Sequence, residues 1–163
     1  SLVGSEMCIR DSIFNVEDKA KNLVNSYKAE LKSFKDDLET GEPVRAFVYD
    51  SGEDTPFTAG LYAMPTALIE AAGGVNVMNG FEKSWGTVTW EEVVAQNPEV
   101  IVIVNYGSVT AEQKRAFMMS NPAFATIDAV KNDRFVTLEY VEATPGPRNI
   151  KAIKTLANSF WGK

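Results

Sequence analysis

Residues 85–104, which read WGTVTWEEVVAQNPEVIVIV, decide the fold of this chain. Thr89 followed by Glu92 is the pattern of a capping box, in which two side chains satisfy the first free amides of a helix. Asn97-Pro98 then ends that helix. The run 100–104 is apolar throughout, which is typical of a strand buried on both faces of a parallel sheet. The stretch therefore predicts a loop, a helix and a central strand, in that order.

The same alternation of strand and helix continues on both sides of this stretch. A second capping box, Thr110 with Gln113, opens another helix that is predicted to run to about Met119. The remaining strands are predicted over 44–49, 75–78 and 134–138, and the remaining helices over 65–72, 125–131 and from Pro147 onward. Such alternation predicts an α/β fold, a mostly parallel sheet with helices on both faces, as in a Rossmann-like lobe.

A long helix is predicted before the first strand, over 15–40. Asn15 is its candidate N-cap, and Gly41 and Pro43 end it. Its apolar residues recur every three or four positions and form one stripe: Val16, Ala20, Leu23, Val24, Tyr27, Leu31, Phe34 and Leu38. Two interpretations stay open, a coiled-coil or surface helix and a rigid connector between two lobes.

The first twelve residues, SLVGSEMCIRDS, look foreign to the rest of the chain. They have no helical or strand period, and they lack the basic start and apolar run of a signal peptide. We therefore expect a non-native leader over 1–12, a long interdomain helix over 13–41 and an α/β lobe over 42–163.

Composition excludes several functions. The net charge of −6 argues against a nucleic-acid surface, and no apolar run is long enough to span a membrane. Because the chain has no histidine, it has neither a Ser-His-Asp triad nor a His-ligated zinc site. G-x-G-x-x-G, G-x-S-x-G and P-loop motifs are also absent.

Ligands of such sheets bind beyond the carboxyl ends of the strands, where loops 50–60, 79–88, 105–109 and 139–147 are expected to meet. Planar groups in and beside these loops suit a flat, conjugated or metal-chelate ligand, although each ring could instead be core packing. Trp85, between Ser84 and Gly86 and outside any apolar period, is the ring that most favours a ligand. The candidate ligand-binding residues are Phe57, Phe81, Trp85, Tyr106, Tyr140 and Arg148.

Acidic residues occur in two clusters. The capping box occupies Glu92, so Glu91 projects outward, where it either meets a cation on a partner or only complements the helix N-terminus. Asp50, Glu53 and Asp54 lack the spacing of a calcium loop, so we expect a solvated acidic turn there and no metal site.

Several short segments resemble, in order and spacing over 13–163, the C-terminal lobe and interdomain helix of one family. These are the ABC-importer substrate-binding proteins that capture ferric siderophores, haem and vitamin B12. Residues 71–77 resemble the family's A-G-G-x-N segment, 85–91 its W-x-x-V-[ST]-x-E run, and 128–132 its A-V-[KR]-N turn. The strand after Asn97-Pro98 also falls at the family's spacing.

The resemblance implies a monomeric, non-enzymatic protein that needs no cofactor and binds a metal chelate between two lobes, the N-terminal one being absent here. In the vitamin B12-binding member, the tryptophan corresponding to Trp85 contacts the corrinoid, and the glutamate corresponding to Glu91 docks onto arginines of the permease. The loop from Tyr140 to Arg148 lies where the last ligand loop of the family lies. The implied location is periplasmic or extracytoplasmic, either free or lipid-anchored.

Two other functions remain open from the residues alone. One is an α/β enzyme that uses carboxylates such as Asp50 or Glu142 as acid and base. The other is a response-regulator-like or partner-binding domain without a small ligand.

Overall fold

Four parallel strands form the central sheet. The computed structural model describes residues 17–36 and 41–162. Its strands are β1 (Val44–Tyr49), β2 (Phe57–Ala59), β3 (Gly74–Asn76), β4 (Trp85–Thr87), β5 (Val100–Asn105) and β6 (Phe135–Glu139). The sheet has the order β3-β1-β5-β6 with every neighbour parallel, which confirms the predicted α/β class. Strands β2 and β4 form a separate antiparallel pair that the sequence analysis did not predict.

The helices alternate with these strands. They are α1 (Glu17–Asp36), α2 (Met64–Ala71), α3 (Trp90–Gln96), α4 (Ala111–Ser120), α5 (Asp128–Lys131) and α6 (Asn149–Trp161), with a 3-10 turn at Pro122–Phe124. Both predicted capping boxes are present, at Thr89 with Glu92 and at Thr110 with Gln113. The helix predicted over 125–131 begins only at Asp128, because the backbone of Ile127 directly before it is extended. None of the described helices is long and apolar enough to cross a membrane.

The chain divides between Glu39 and Thr40 into two units. Helix α1 is the described part of the first unit and confirms the central part of the helix predicted over 15–40. At 1.5 Å per residue it is roughly 30 Å long. Ala20, Tyr27, Leu31 and Phe34 are half-buried along one stripe. The candidate cap Asn15, residues 37–40 and the proposed leader 1–12 lie outside the described residues.

The core of the second unit lies on both faces of the sheet. On one face, Phe47 of β1 and Ile101 of β5 pack with Val93 of α3 and Met118 of α4. Helices α2 and α6 pack together on the sheet's other side, beside β3 and β6. Five of the six residues of β5 are buried, so the strand predicted from its apolar run is the centre of the fold.

A buried asparagine attaches the β2–β4 pair to the sheet. Asn76, at the end of β3, is completely buried. Its side-chain amide donates to the carbonyl oxygen of Ala59 at 2.8 Å and to Oγ1 of Thr66 at 2.7 Å, and its Oδ1 accepts from the amide of Met78 at 3.0 Å. Thr58 of β2 donates in turn to the carbonyl oxygen of Val48 at 2.6 Å. Strand β2 is therefore held by hydrogen bonds from β3 and to β1.

We expect Asn76→Ala to lower the free energy of unfolding by roughly 3 kcal/mol, because it leaves buried polar groups without partners. Urea denaturation followed by circular dichroism measures the change. The matched control is Asn79→Ala, since Asn79 is exposed and its side chain makes no hydrogen bond to the described residues. Its expected change is within about 0.5 kcal/mol. Equal losses in the two variants would contradict the role of Asn76.

Candidate functional site

A cavity of about 610 Å³ lies where the carboxyl ends of the sheet strands meet the β2–β4 pair. Each of the four loops predicted to form the rim contributes to it. Residues around the start of α2 also line it, which the sequence did not predict. They are Leu61, Tyr62, Met64 and Ala67. The other lining residues are Asp50, Phe57, Ala63, Ser84, Trp85, Val104, Tyr106, Tyr140, Ala143, Thr144 and Pro145.

Two stacked pairs of aromatic rings stand in this cavity. The rings of Phe57 and Trp85 are nearly parallel, with an interplanar angle of 10° and centroids 5.9 Å apart. Their positions follow from the antiparallel pairing of β2 with β4. The rings of Tyr106 and Tyr140 stack with centroids 4.7 Å apart, and about half of each side chain is exposed. The structure thus brings four of the six predicted ligand residues together.

The other two predicted ligand residues do not line the cavity. The ring of Phe81 fills the space beside two glycines. A Cβ atom on Gly86 would lie 2.6 Å from Cζ of Phe81, and a Cβ atom on Gly60 would lie 2.7 Å from Cδ1 of Phe81. Phe81 therefore supports the β2–β4 pair from behind. Arg148 is exposed, directly before α6.

Asp50 differs from the expected solvated turn. It is only 8% exposed and lines the cavity, whereas Glu53 and Asp54 are exposed. The Oγ of Ser51 donates to Asp50 Oδ2 at 2.9 Å. The sequence pattern did not separate these carboxylates because the turn has no period that marks its buried side. Within the described part of the chain, no three His, Cys, Asp or Glu residues form a metal-binding cluster.

Lys114 is a buried cation that the sequence analysis missed. Its side chain is 2% exposed, and its Nζ donates to the carbonyl oxygens of Val104 at 2.7 Å and Tyr106 at 3.1 Å. Burial lowers the pKa of Lys114, and the negative charge of Asp50 partly offsets that effect. The ammonium thereby fixes the loop that carries Tyr106. No local motif marks this role, because both acceptors are backbone groups of another element.

Glu142 anchors the loop that carries Tyr140. Its carboxylate pairs with Lys151 at 2.9 Å and accepts from the amide of Glu139 at 3.1 Å. Burial alone would raise the pKa of Glu142, but the hydrogen bonds from Lys151 and Glu139, with the charges of Lys151 and Arg148, bring this pKa below its ordinary value. Glu142 does not line the cavity, so it lacks the position of an acid or base acting there.

Glu91 lies exposed in the first turn of α3. The carboxylate of Glu92 accepts from the Thr89 amide at 2.8 Å, as the capping box predicts. Glu91 has no side-chain hydrogen bond or ion pair to the described residues, so its charge is available to a partner. The neighbouring Trp90 donates from Nε1 to the carbonyl oxygen of Glu53 at 2.6 Å, which fixes the start of α3.

The family model described as "Periplasmic binding protein" matches residues 12–141. The chain is 35% identical to a periplasmic binding protein from Veillonella parvula, with a TM-score of 0.86 over 94% of this chain and 54% of that one. The second similar structure is an ABC transporter substrate-binding protein from Listeria monocytogenes, at 19% identity and a TM-score of 0.83, covering 98% and 63%.

A third structure, an ABC-type Fe3+-hydroxamate transport system from Saccharomonospora viridis, is 21% identical, with a TM-score of 0.81 over 96% of this chain and 54% of that one. The two matches below 25% identity concern the fold alone. The chain thus spans between 54% and 63% of the length of these three structures.

The lowered pKa of Glu142 predicts a pH-dependent contribution to stability. A carboxyl group with a lowered pKa in the folded state stabilises the fold above its ordinary pKa, and this contribution is lost as the pH falls through the lowered value. We expect Glu142→Gln to reduce the free energy of unfolding by roughly 2 kcal/mol at pH 7, with a difference from wild type that shrinks steadily below about pH 4.5.

Urea denaturation at a series of pH values measures this difference. Glu70→Gln is the control, because Glu70 is exposed on α2 and forms no ion pair with the described residues. A difference between wild type and Glu142→Gln that stays constant from pH 7 to pH 3 would contradict the ion-pair assignment.

Proposed function

Because this chain belongs to the periplasmic binding protein family, we propose that it forms the C-terminal lobe of the solute-binding component of an ABC importer. Its cargo is a metal chelate such as a ferric siderophore, haem or a corrinoid, bound between this lobe and an N-terminal one. The observation that carries the proposal is the open cavity with two stacked aromatic pairs at the carboxyl edge of the sheet.

The size and lining of the cavity support a large cargo with planar or bulky apolar surfaces. Ligand pockets of roughly 300–1,000 Å³ with mostly apolar walls and few polar groups are typical of small-molecule sites. Here Trp85 and Phe57 offer ring faces on one side and Tyr106 and Tyr140 on the other. Ring faces bind planar or bulky apolar surfaces by stacking. Tyr106 and Tyr140 are half-exposed, so part of each tyrosine is free to contact a ligand.

The anchoring of the cavity wall also supports a binding site. The β2–β4 pair is held by Asn76 and Thr58, and the loop of Tyr106 by Lys114. Side chains held in place before binding lose little conformational freedom when the ligand arrives, which favours affinity.

Delivery to the permease is proposed to involve Glu91. An exposed carboxylate on a rigid helix start is suited to pair with a cation on a partner, as the permease arginines of the family would provide. The proposed location is extracytoplasmic, and the protein is proposed to act as a monomer without a catalytic step. The ion-paired Glu142, outside the cavity, gives no support to the enzyme alternative.

The first test is intrinsic fluorescence of the full-length protein, titrated with cobalamin, haem and a panel of ferric siderophores. One of these ligands should quench the emission saturably, and Trp85→Leu should remove most of the quenching and weaken binding about tenfold, through loss of stacking and buried area. Trp161→Phe is the control, since Trp161 lies at the end of α6 and does not line the cavity. The proposal fails if none of the chelates gives a saturable response.

The second test separates binding from delivery. Glu91→Ala should leave ligand affinity unchanged and lower uptake by cells carrying the cognate permease by about tenfold, the effect of losing roughly 1.4 kcal/mol of contact. Glu112→Ala is the matched control, because Glu112 lies in the first turn of α4 and is exposed in the same way. Collapse of affinity with normal uptake per bound ligand would show that the docking role is wrong.

A further inference from the structure

The cavity wall has one charge of its own. Asp50 is the single Asp, Glu, Lys or Arg residue among those lining it. Three described lysines face other groups. Lys83 lies over the ring of Phe81, Lys151 pairs with Glu142, and the buried Lys114 donates to two backbone carbonyl oxygens. The wall that this lobe offers a ligand is therefore aromatic and acidic.

The Asp50 carboxylate retains an unused acceptor. Oδ2 accepts from Ser51, whereas Oδ1 accepts no hydrogen bond from the described residues. None of the ion pairs among the described residues includes Asp50, so the charge of Lys114 acts on it only over a longer distance. Asp50 is 8% exposed as a residue, and its carboxylate lacks an ion-pair partner among the described residues, which favours a ligand that brings a cation or a strong donor.

The aromatic rings favour the same ligand charge. The face of an aromatic ring is electronegative and attracts a cation within about 6 Å of its centroid. Four rings of the two stacked pairs share the cavity with Asp50. The same carboxylate and rings disfavour an anion, which would meet no described Lys or Arg side chain in the lining.

We infer that the cargo is a metal chelate that carries a positively charged amine, with this amine bound between Asp50 Oδ1 and the aromatic rings. The inference rests on the proposed function, since it specifies the ligand of the same cavity. It excludes as preferred cargo the chelates whose charge is negative, such as ferric tricatecholates and haem with its carboxylates.

The test is a series of ferric trihydroxamates that differ only at one pendant group: a free amine, its neutral N-acetyl form and its anionic N-succinyl form. Their affinities for the full-length protein are measured by calorimetry at low and high salt. We expect the amine form to bind at least about tenfold more tightly than the anionic form, with the neutral form between them. The order should persist at high salt, which screens the long-range field of the negatively charged protein.

Variants then assign the preference to Asp50. Asp50→Asn should reduce the difference between the amine and the N-acetyl form to less than about twofold. Glu53→Gln should leave it intact, since Glu53 lies on the same turn, is exposed and does not line this cavity. Circular dichroism checks the fold of Asp50→Asn, and the ligand series on the wild-type protein tests the charge preference without any variant.

The outcomes distinguish this inference from the proposed function. Equal affinity for the three forms, or a preference for the anionic form, overturns the inference and leaves chelate binding intact. A difference that persists in Asp50→Asn also overturns it. Binding of only haem, a ferric tricatecholate or cyanocobalamin would also overturn the inference and leave chelate binding intact. If none of these chelates binds, the proposed function fails and the inference fails with it.

Discussion

The aromatic wall of the cavity depends on the hydrogen bonds of the Asn76 side-chain amide. Asn76 is completely buried, and each of these three hydrogen bonds reaches a different segment: strand β2, helix α2 and the turn after β3. A buried amide is stabilising only when its partners are all in place, so these segments have one arrangement that satisfies it. Strand β4 pairs with β2 and carries Trp85. A polar group inside the lobe thereby determines where the aromatic wall stands.

The opposite wall of the cavity is built by the same physical means. Lys114 holds the carbonyl groups of Val104 and Tyr106, and Asn149 donates to the carbonyl oxygens of Glu142 and Thr144. In both cases a side chain supplies donors to backbone carbonyl groups in an irregular loop or directly before it. These hydrogen bonds restrain the loops at the sheet edge, and the apolar side chains that the loops display need not make polar contacts of their own.

The sequence was informative where structure is determined locally. The apolar run of β5 and the capping boxes at Thr89 and Thr110 predicted elements within about one residue of their observed bounds, because each depends on neighbours in the chain. The three-residue strands β2 and β4 escaped prediction because only their mutual pairing, across 25 or more intervening residues, defines them.

The candidate site was predictable in outline, since parallel strands place the loops after their carboxyl ends at one edge. Which side chains face the cavity was not. Phe81 carries the same ring as Phe57, yet it lies behind two glycines, and Asp50 is buried while Glu53 of the same turn is exposed. Residue type does not encode such differences; they arise when distant segments pack. The buried Lys114 was missed for the same reason.

The ring of Trp90 connects the two surfaces that the proposed function involves. It packs against Tyr49 and Phe124 in the core, and its Nε1 donates to Glu53, in the turn that begins with Asp50. Glu91 is the next residue along α3. The proposed docking residue and the acidic wall of the cavity are therefore fixed to one packed cluster, whose close packing resists small displacements. Under the proposed function, a ligand in the cavity would leave Glu91 where it is within this lobe.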